Sequence, residues 1–280
     1  MELSPRYDGP PIISIEGSPD DQSAPVARQR RRLEVMVGAL SETEWKSPSR
    51  CEGWTVQDVI AHLVGVNGFW EISVSAGIAG APTRVLAGFD PAAHPPLMVD
   101  AMREQTPDGV LAQFVQSNDG FLSALADLDD RGWSTIAESP AGHVPIRLLA
   151  YHALWDGWVH EHDIALPLGL TPPAEPDEIQ SCLRYAAAVS PAFAISSGAE
   201  CGGVFAVEAN DPELRFTVEV GESVIVHDGE APPDAPRLRG RAVDLIEALS
   251  IRAPLPASTP TEWRQLLAGL ASAFDSELQL

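Results

Sequence analysis

Residues 145–166 read PIRLLAYHALWDGWVHEHDIAL. Pro145 stands where a helix can open, and Pro167 with Gly169 stand where it must stop, so the stretch predicts one helix throughout. On it His152, Asp156 and His160 recur at every fourth position. Each such step drifts by only about 40°, which keeps all three on one side over two turns. Imidazole nitrogens and a carboxylate oxygen are the usual donors to zinc and similar divalent ions. The competing reading is an ordinary buried helix whose histidines bond to carbonyl groups. Glu161, His162 and Asp163 read as a polar rim near the helix end, and Trp155 and Trp158 as core or cleft wall.

A single helix supplies two metal ligands comfortably, and a third normally arrives from a facing helix. His62, in DVIAHLVGV (58–66), is the one histidine inside another well-defined helical pattern. Its neighbours Ala61, Leu63 and Val64 turn it toward an interior or a cleft. His94 and His143 fall in loops, and His227 lies beside a turn. Ahead of His62, Gly53 ends a loop, Thr55 can cap the helix, and Asp58 occupies the capping-box position.

The composition narrows the function classes. A chain of 280 residues with 45% hydrophobic residues can bury a substantial core, as one large domain or two ordinary ones. Eighteen Lys+Arg against 40 Asp+Glu give a net charge of -22, which argues against a nucleic-acid or anionic-membrane surface. RQRRR (28–32) is the strong basic run and reads as the solvated face of a helix. No run of about 18 apolar residues is apparent, so no transmembrane helix is expected. The first residues lack a basic region followed by an apolar core, so no signal peptide is expected. Cys51, Cys182 and Cys201 form an odd, scattered set, which fits a reduced cytoplasmic protein.

Three segments follow from the pattern: an irregular leader over 1–22, a helical part over 23–198 and a small mixed part over 199–280. Helical stretches are expected at 24–42, from Thr55 onward, at 107–128 and at 176–196, with a Pro- and Gly-rich loop at 80–97. After about residue 200 the period becomes that of strands, in VFAVEA (204–209), LRFTVEV (214–220) and SVIVHDG (223–229). RAVDLIEALS and PTEWRQLLAGLASAF then return to helix.

SPSRCEGWTVQDVIAHLVGV (47–66) resembles a signature of the DinB-like superfamily, in the branch that includes mycothiol-dependent maleylpyruvate isomerase. WDGWVHEHDIALPLGL (155–170) is similar to its second signature, an acid four residues before a histidine and an aspartate three beyond it. RLRGRAVDLIEALSIRAPL (237–255) resembles the start of the last helix of the small C-terminal domain. The resemblance implies an α+β protein, a DinB-like helical bundle followed by a small mixed α/β C-terminal domain. It implies one divalent metal, usually zinc, held by His62, Asp156 and His160 with an open position. Mycothiol would be the thiol cosubstrate, its thiolate adding to an electrophilic small molecule in an S-transferase or isomerase reaction. Arg252 is the catalytic cation by position, with Arg239 and Arg264 behind it; Trp54 and Trp158 are the candidate cofactor contacts; Cys51 is structural. The partners implied are a small electrophile and mycothiol, with no nucleic acid or membrane, for a monomer or homodimer. The family usually has Glu where this chain has Asp156. Asp is one methylene shorter, so the metal would be displaced, held less tightly, helped by His152, or lost. The alternative function is a metal-free small-molecule binder or thiol-independent member of the same fold.

Overall fold

At Thr55 the side chain accepts from the Asp58 amide at 3.2 Å, and Asp58 Oδ2 accepts from the Thr55 amide at 2.9 Å. This reciprocal cap fixes the start of the helix that carries His62. The computed structural model describes residues 4–17, 21–199, 202–229 and 231–273. In chain order they form β1 (Ile13–Ile15), α1 (Ser23–Gly38), α2 (Glu42–Trp45), α3 (Val56–Ile78), α4 (His94–Asp100), α5 (Pro107–Leu125) and α6 (Asp130–Trp133). There follow the hairpin strands β2 (Ile136–Ser139) and β3 (Gly142–Pro145), then α7 (Ile146–Ala165) and α8 (Pro176–Ser196). The chain closes with β4 (Gly203–Asn210), β5 (Leu214–Val220), β6 (Val224–His227), β7 (Arg237–Arg241), α9 (Ala242–Leu249), α10 (Thr261–Leu267) and α11 (Gly269–Ala273).

Helix α1 packs on α5 and α7, and α3 packs on the same two. Helix α7 is buried nearly all round, charged positions included. Helix α8 covers its far side and in turn carries α9, α10, α11 and the sheet. That sheet runs β1-β6-β5-β4-β7, antiparallel through β6, β5 and β4, with β1 and β7 added parallel at the edges. One apolar core reaches from Trp70 on α3 through Trp158 and Tyr185 to Phe216 and Leu270, and a second joins Leu33, Trp45, Ile60 and Phe114. The fold is α+β, helices first and a small mixed part after them, as the periods require.

Several readings need correction. The leader is not irregular throughout: Ile13–Ile15 pair parallel with Val224–Val226, and Arg6 bridges Gly142. Ile12 and Ile13 seal the edge of the core, and a strand of three residues shows no period to read. Gly142, at φ +109, lets the leader pass, because a Cβ there would collide with the Arg6 backbone. The 80–97 loop ends inside α4, and the hairpin and β7 are further elements the pattern did not reveal. Helix α3 is long and apolar enough by composition to cross a membrane, contrary to the expectation. It packs on α4, α5, α7 and β2, as a core helix does.

RQRRR is an interhelical clamp rather than a solvated face. Arg28 pairs with Asp177 and Glu178, Arg31 with Glu34 and Asp119, and Arg32 with Glu161 and Glu178, while Arg30 is fully buried. Glu161 and Glu178 lie inside the protein, where an unmatched carboxylate is costly, so α1 brings the cations to them. Cys201, Phe274 at the end of the last expected helix, and residues 275–280 lie outside the described residues.

Buried Glu138 on β2 gathers the leader and the 80–97 segment. Its carboxylate accepts from Tyr7 and Thr83 hydroxyls at 2.6 Å each and from the Val85 and Leu86 amides at 2.8 Å each. Glu138→Gln turns one acceptor into a donor facing donors. It should destabilise the protein by about 3 kcal/mol in denaturant unfolding and speed amide exchange at Val85 and Leu86. Unchanged exchange at these amides would show that the carboxylate does not hold the segment.

Candidate metal centre

His62 stands in the second turn of α3, and Asp156 and His160 stand one turn apart on α7, where the two helices meet. One ligand atom from each of the three lies within 4.8 Å of the others. The imidazole rings of His62 and His160 are 5.0 Å apart and nearly perpendicular, and His160 Nε2 lies 3.6 Å from Asp156 Oδ1. His62 Nδ1 and Asp156 Oδ2 are buried without a hydrogen-bond partner. Buried polar atoms are almost always paired, so two orphans in one cluster of nitrogen and oxygen donors fit a divalent ion.

Burial, with nearby His160, pushes His62 down to about 4, which leaves it neutral and able to donate a lone pair. Burial also opposes charge on His160, yet Asp156 and Asp163 overcome it and raise that histidine to about 10. Burial likewise works against the Asp156 carboxylate, but the three histidines and Arg30 draw it below its ordinary value. Protonated, His160 supplies part of the positive charge that faces Asp156, and Arg30 supplies another part.

Asp163 accepts from His160 Nδ1 at 3.1 Å, which turns Nε2 toward Asp156. A carboxylate behind a histidine fixes the ring's tautomer and orientation. Asp163 itself is fully buried and held by Arg252, with Nε 2.9 Å from Oδ1 and Nη2 2.9 Å from Oδ2, and by Arg50 Nε at 3.0 Å. Against the opposing effect of burial, His160 and Arg252 hold its carboxyl far below the usual carboxylate range. Ile251, a β-branched residue at φ +57, turns the chain back after α9 and aims Arg252 at α7.

Arg252 is thus brought beside the centre, with its guanidinium bound to Asp163. Arg239 pairs with Glu208 on the sheet, and Arg264 donates to the Pro256 and Ala257 carbonyls. Glu161, His162 and Asp163 do not form a rim, for all three are buried. Trp54 packs 5.3 Å from His62, ring centre to ring centre, at the half-buried mouth of α3. Trp158, only 1% exposed and stacked on His162 at 3.7 Å, is core and offers no face to a cofactor. His152 shares a 2.6 Å hydrogen bond with Tyr185 and packs on Trp70 and Trp155, outside the three-residue cluster. Cys51, His160 and Asp163 form a second close group, but Arg252 Nη2 lies 3.7 Å from Cys51 Sγ, so a cation already sits there. Arg50 and Arg30 were not legible as site residues. For Asp163 the signal was present, three residues after His160.

Half of the chain, residues 26–165, matches the family model described as the mycothiol maleylpyruvate isomerase N-terminal domain. That span contains His62, Asp156 and His160. Two solved structures share the fold: a mycothiol-dependent maleylpyruvate isomerase, with a TM-score of 0.59, and a histidine-to-alanine variant of it, with a TM-score of 0.60. Each is 17% identical over 84% of this chain and 90% of the other. No curated protein matches. On the family match, the chain belongs to the mycothiol maleylpyruvate isomerase N-terminal domain family.

Proposed function

We propose that the protein is a metal-dependent enzyme that uses mycothiol against an electrophilic small molecule, as an S-transferase or an isomerase. The observation that carries this is the convergence of His62, Asp156 and His160 within 4.8 Å, with two buried donor atoms left unpaired. A divalent ion such as zinc, when bound, supplies a Lewis-acid position at which a thiol gives up its proton near neutral pH. Three protein donors leave a fourth position open, the arrangement of catalytic rather than structural sites. The chain's own residues do the rest. His62 presents a neutral imidazole, Asp156 a carboxylate, and Asp163 with Arg252 and Arg50 locks the His160 ring. Trp54 stands beside His62, where it can pack against the bound thiol's carrier. A reduced cytoplasmic setting belongs to the same proposal, since the thiol must stay free.

His160→Ala should abolish the near-stoichiometric zinc that elemental analysis finds in protein purified without chelator. Asp163→Asn keeps the ring's acceptor but weakens its hold, and should lower zinc affinity about 10- to 100-fold. A wild-type protein that carries no metal and takes up none would defeat the proposal.

Activity should require metal and mycothiol together. Incubated with an electrophile, the loaded enzyme either accumulates a thiol adduct, the mark of an S-transferase, or returns the thiol with the substrate isomerised. Glutathione should substitute poorly. Equal turnover with no thiol added would move the protein to the thiol-independent reading.

A further inference from the structure

Arg30 on α1 is a buried cation that the chemistry above does not use. It is 0% exposed, and its donors meet neutral acceptors: Gln29 Oε1 at 2.6 Å, the Ala153 carbonyl at 3.0 Å and Asn67 Oδ1 at 3.2 Å. The other arginines of the 28–32 run each contact a carboxylate directly. A guanidinium sealed from water needs compensating charge close by, because an isolated buried ion loses its hydration with nothing to replace it.

Three carboxylates act on Arg30, those of Asp156, Glu161 and Glu34, and of these Glu161 is already paired with Arg32 and Glu34 with Arg31. Ala153 and Gly157 lie one turn apart on α7, and Asp156 lies between them. A Cβ at Gly157 would collide with Arg30 Nη1 and crowd Gln29 Oε1, so the guanidinium rests on the helix surface at the ligand turn. Gln29 Nε2 donates to the Gly157 carbonyl at 2.9 Å and reaches Glu161 Oε2 at 3.2 Å, which grips the same turn. Asp156 Oδ2 meanwhile has no hydrogen-bond partner.

We propose that Arg30 is a positioning residue that serves as the resident counter-charge of the metal centre. Its guanidinium offsets the buried Asp156 carboxylate so that α7 stays packed without a divalent ion, and it repels the ion when one binds. This rests on the assignment of His62, Asp156 and His160 as ligands. Arg30 and the ion share one carboxylate, so each weakens the other. Neutralising Arg30 should therefore tighten ion binding while weakening the ion-free fold. A residue that only packed would weaken both.

The test is zinc affinity by chelator competition, with the thermal midpoint measured with and without zinc, on the full chain. Arg30→Gln should bind zinc about tenfold more tightly or better, since a like charge is removed from a low-dielectric site. Its midpoint should also rise more on zinc addition than that of the wild type. Arg30→Lys keeps the charge but not the fork, and its zinc affinity should stay within about threefold of wild type while stability falls. Asn67→Asp pairs the guanidinium in place, and it too should tighten zinc; it decides the matter if Arg30→Gln yields no folded protein. Zinc binding no tighter in Arg30→Gln or Asn67→Asp than in wild type would overturn the counter-charge role, as would tightening in Arg30→Lys equal to that in Arg30→Gln. Failure of the wild type to bind zinc at all would instead remove the metal centre itself.

Discussion

Helix α7 carries Asp156, His160, Glu161 and Asp163 into the interior within two turns, and water is excluded from most of their surface. Charges in such a place must be matched by partners from elsewhere, or the fold loses several kcal/mol for each. Much of the surrounding architecture is that matching. Helix α1 arrives with Arg32 for Glu161, the loop before α3 arrives with Arg50, and the turn after α9 arrives with Arg252 for Asp163. The elements that hold α7 in place are thereby the elements that aim His160. Packing and site geometry come from the same contacts.

This explains why the small C-terminal part is joined so closely to the helices. Ser250 accepts from Trp155 Nε1 at 2.8 Å, and Arg50 Nη1 reaches Glu247 Oε2 at 2.7 Å, so α9 is tied to both α7 and the loop before α3. Helix α8 lies between the two parts, and its buried face belongs to the core that runs from Trp70 to Phe216 and Leu270. A shift of α9 would move Arg252, then Asp163, then the His160 ring. The sheet thus bears on the metal centre without touching it.

Much of this was legible from the chain. The four-residue recurrence on 145–166, the capping box at Thr55 and Asp58, and the strand period after residue 200 each rest on local rules, and local rules are visible in one sequence. What escaped is non-local. Arg28 to Arg32 looks like any basic run until α8 and α7 place Glu178 and Glu161 against it. Ile13–Ile15 becomes a strand only because β6, about 210 residues later, offers an edge. Asp163 looked like a helix-end acid because nothing in its neighbourhood announced two arginines, one from near residue 50 and one from near 250. Trp158 was misjudged for the complementary reason: its indole could line a cleft or fill a core, and only packing decides.

The central claim is that His62, Asp156 and His160 hold one divalent ion with a position left for a thiol. X-ray absorption at the zinc edge of the loaded protein tests it most directly, before and after mycothiol is added. The account predicts a first shell of nitrogen and oxygen at roughly 2.0–2.1 Å with two imidazoles, to which the thiol adds one sulfur at about 2.3 Å. A shell that contains sulfur before any thiol is present would place the ion at Cys51 instead. A shell unchanged by mycothiol would contradict the open position.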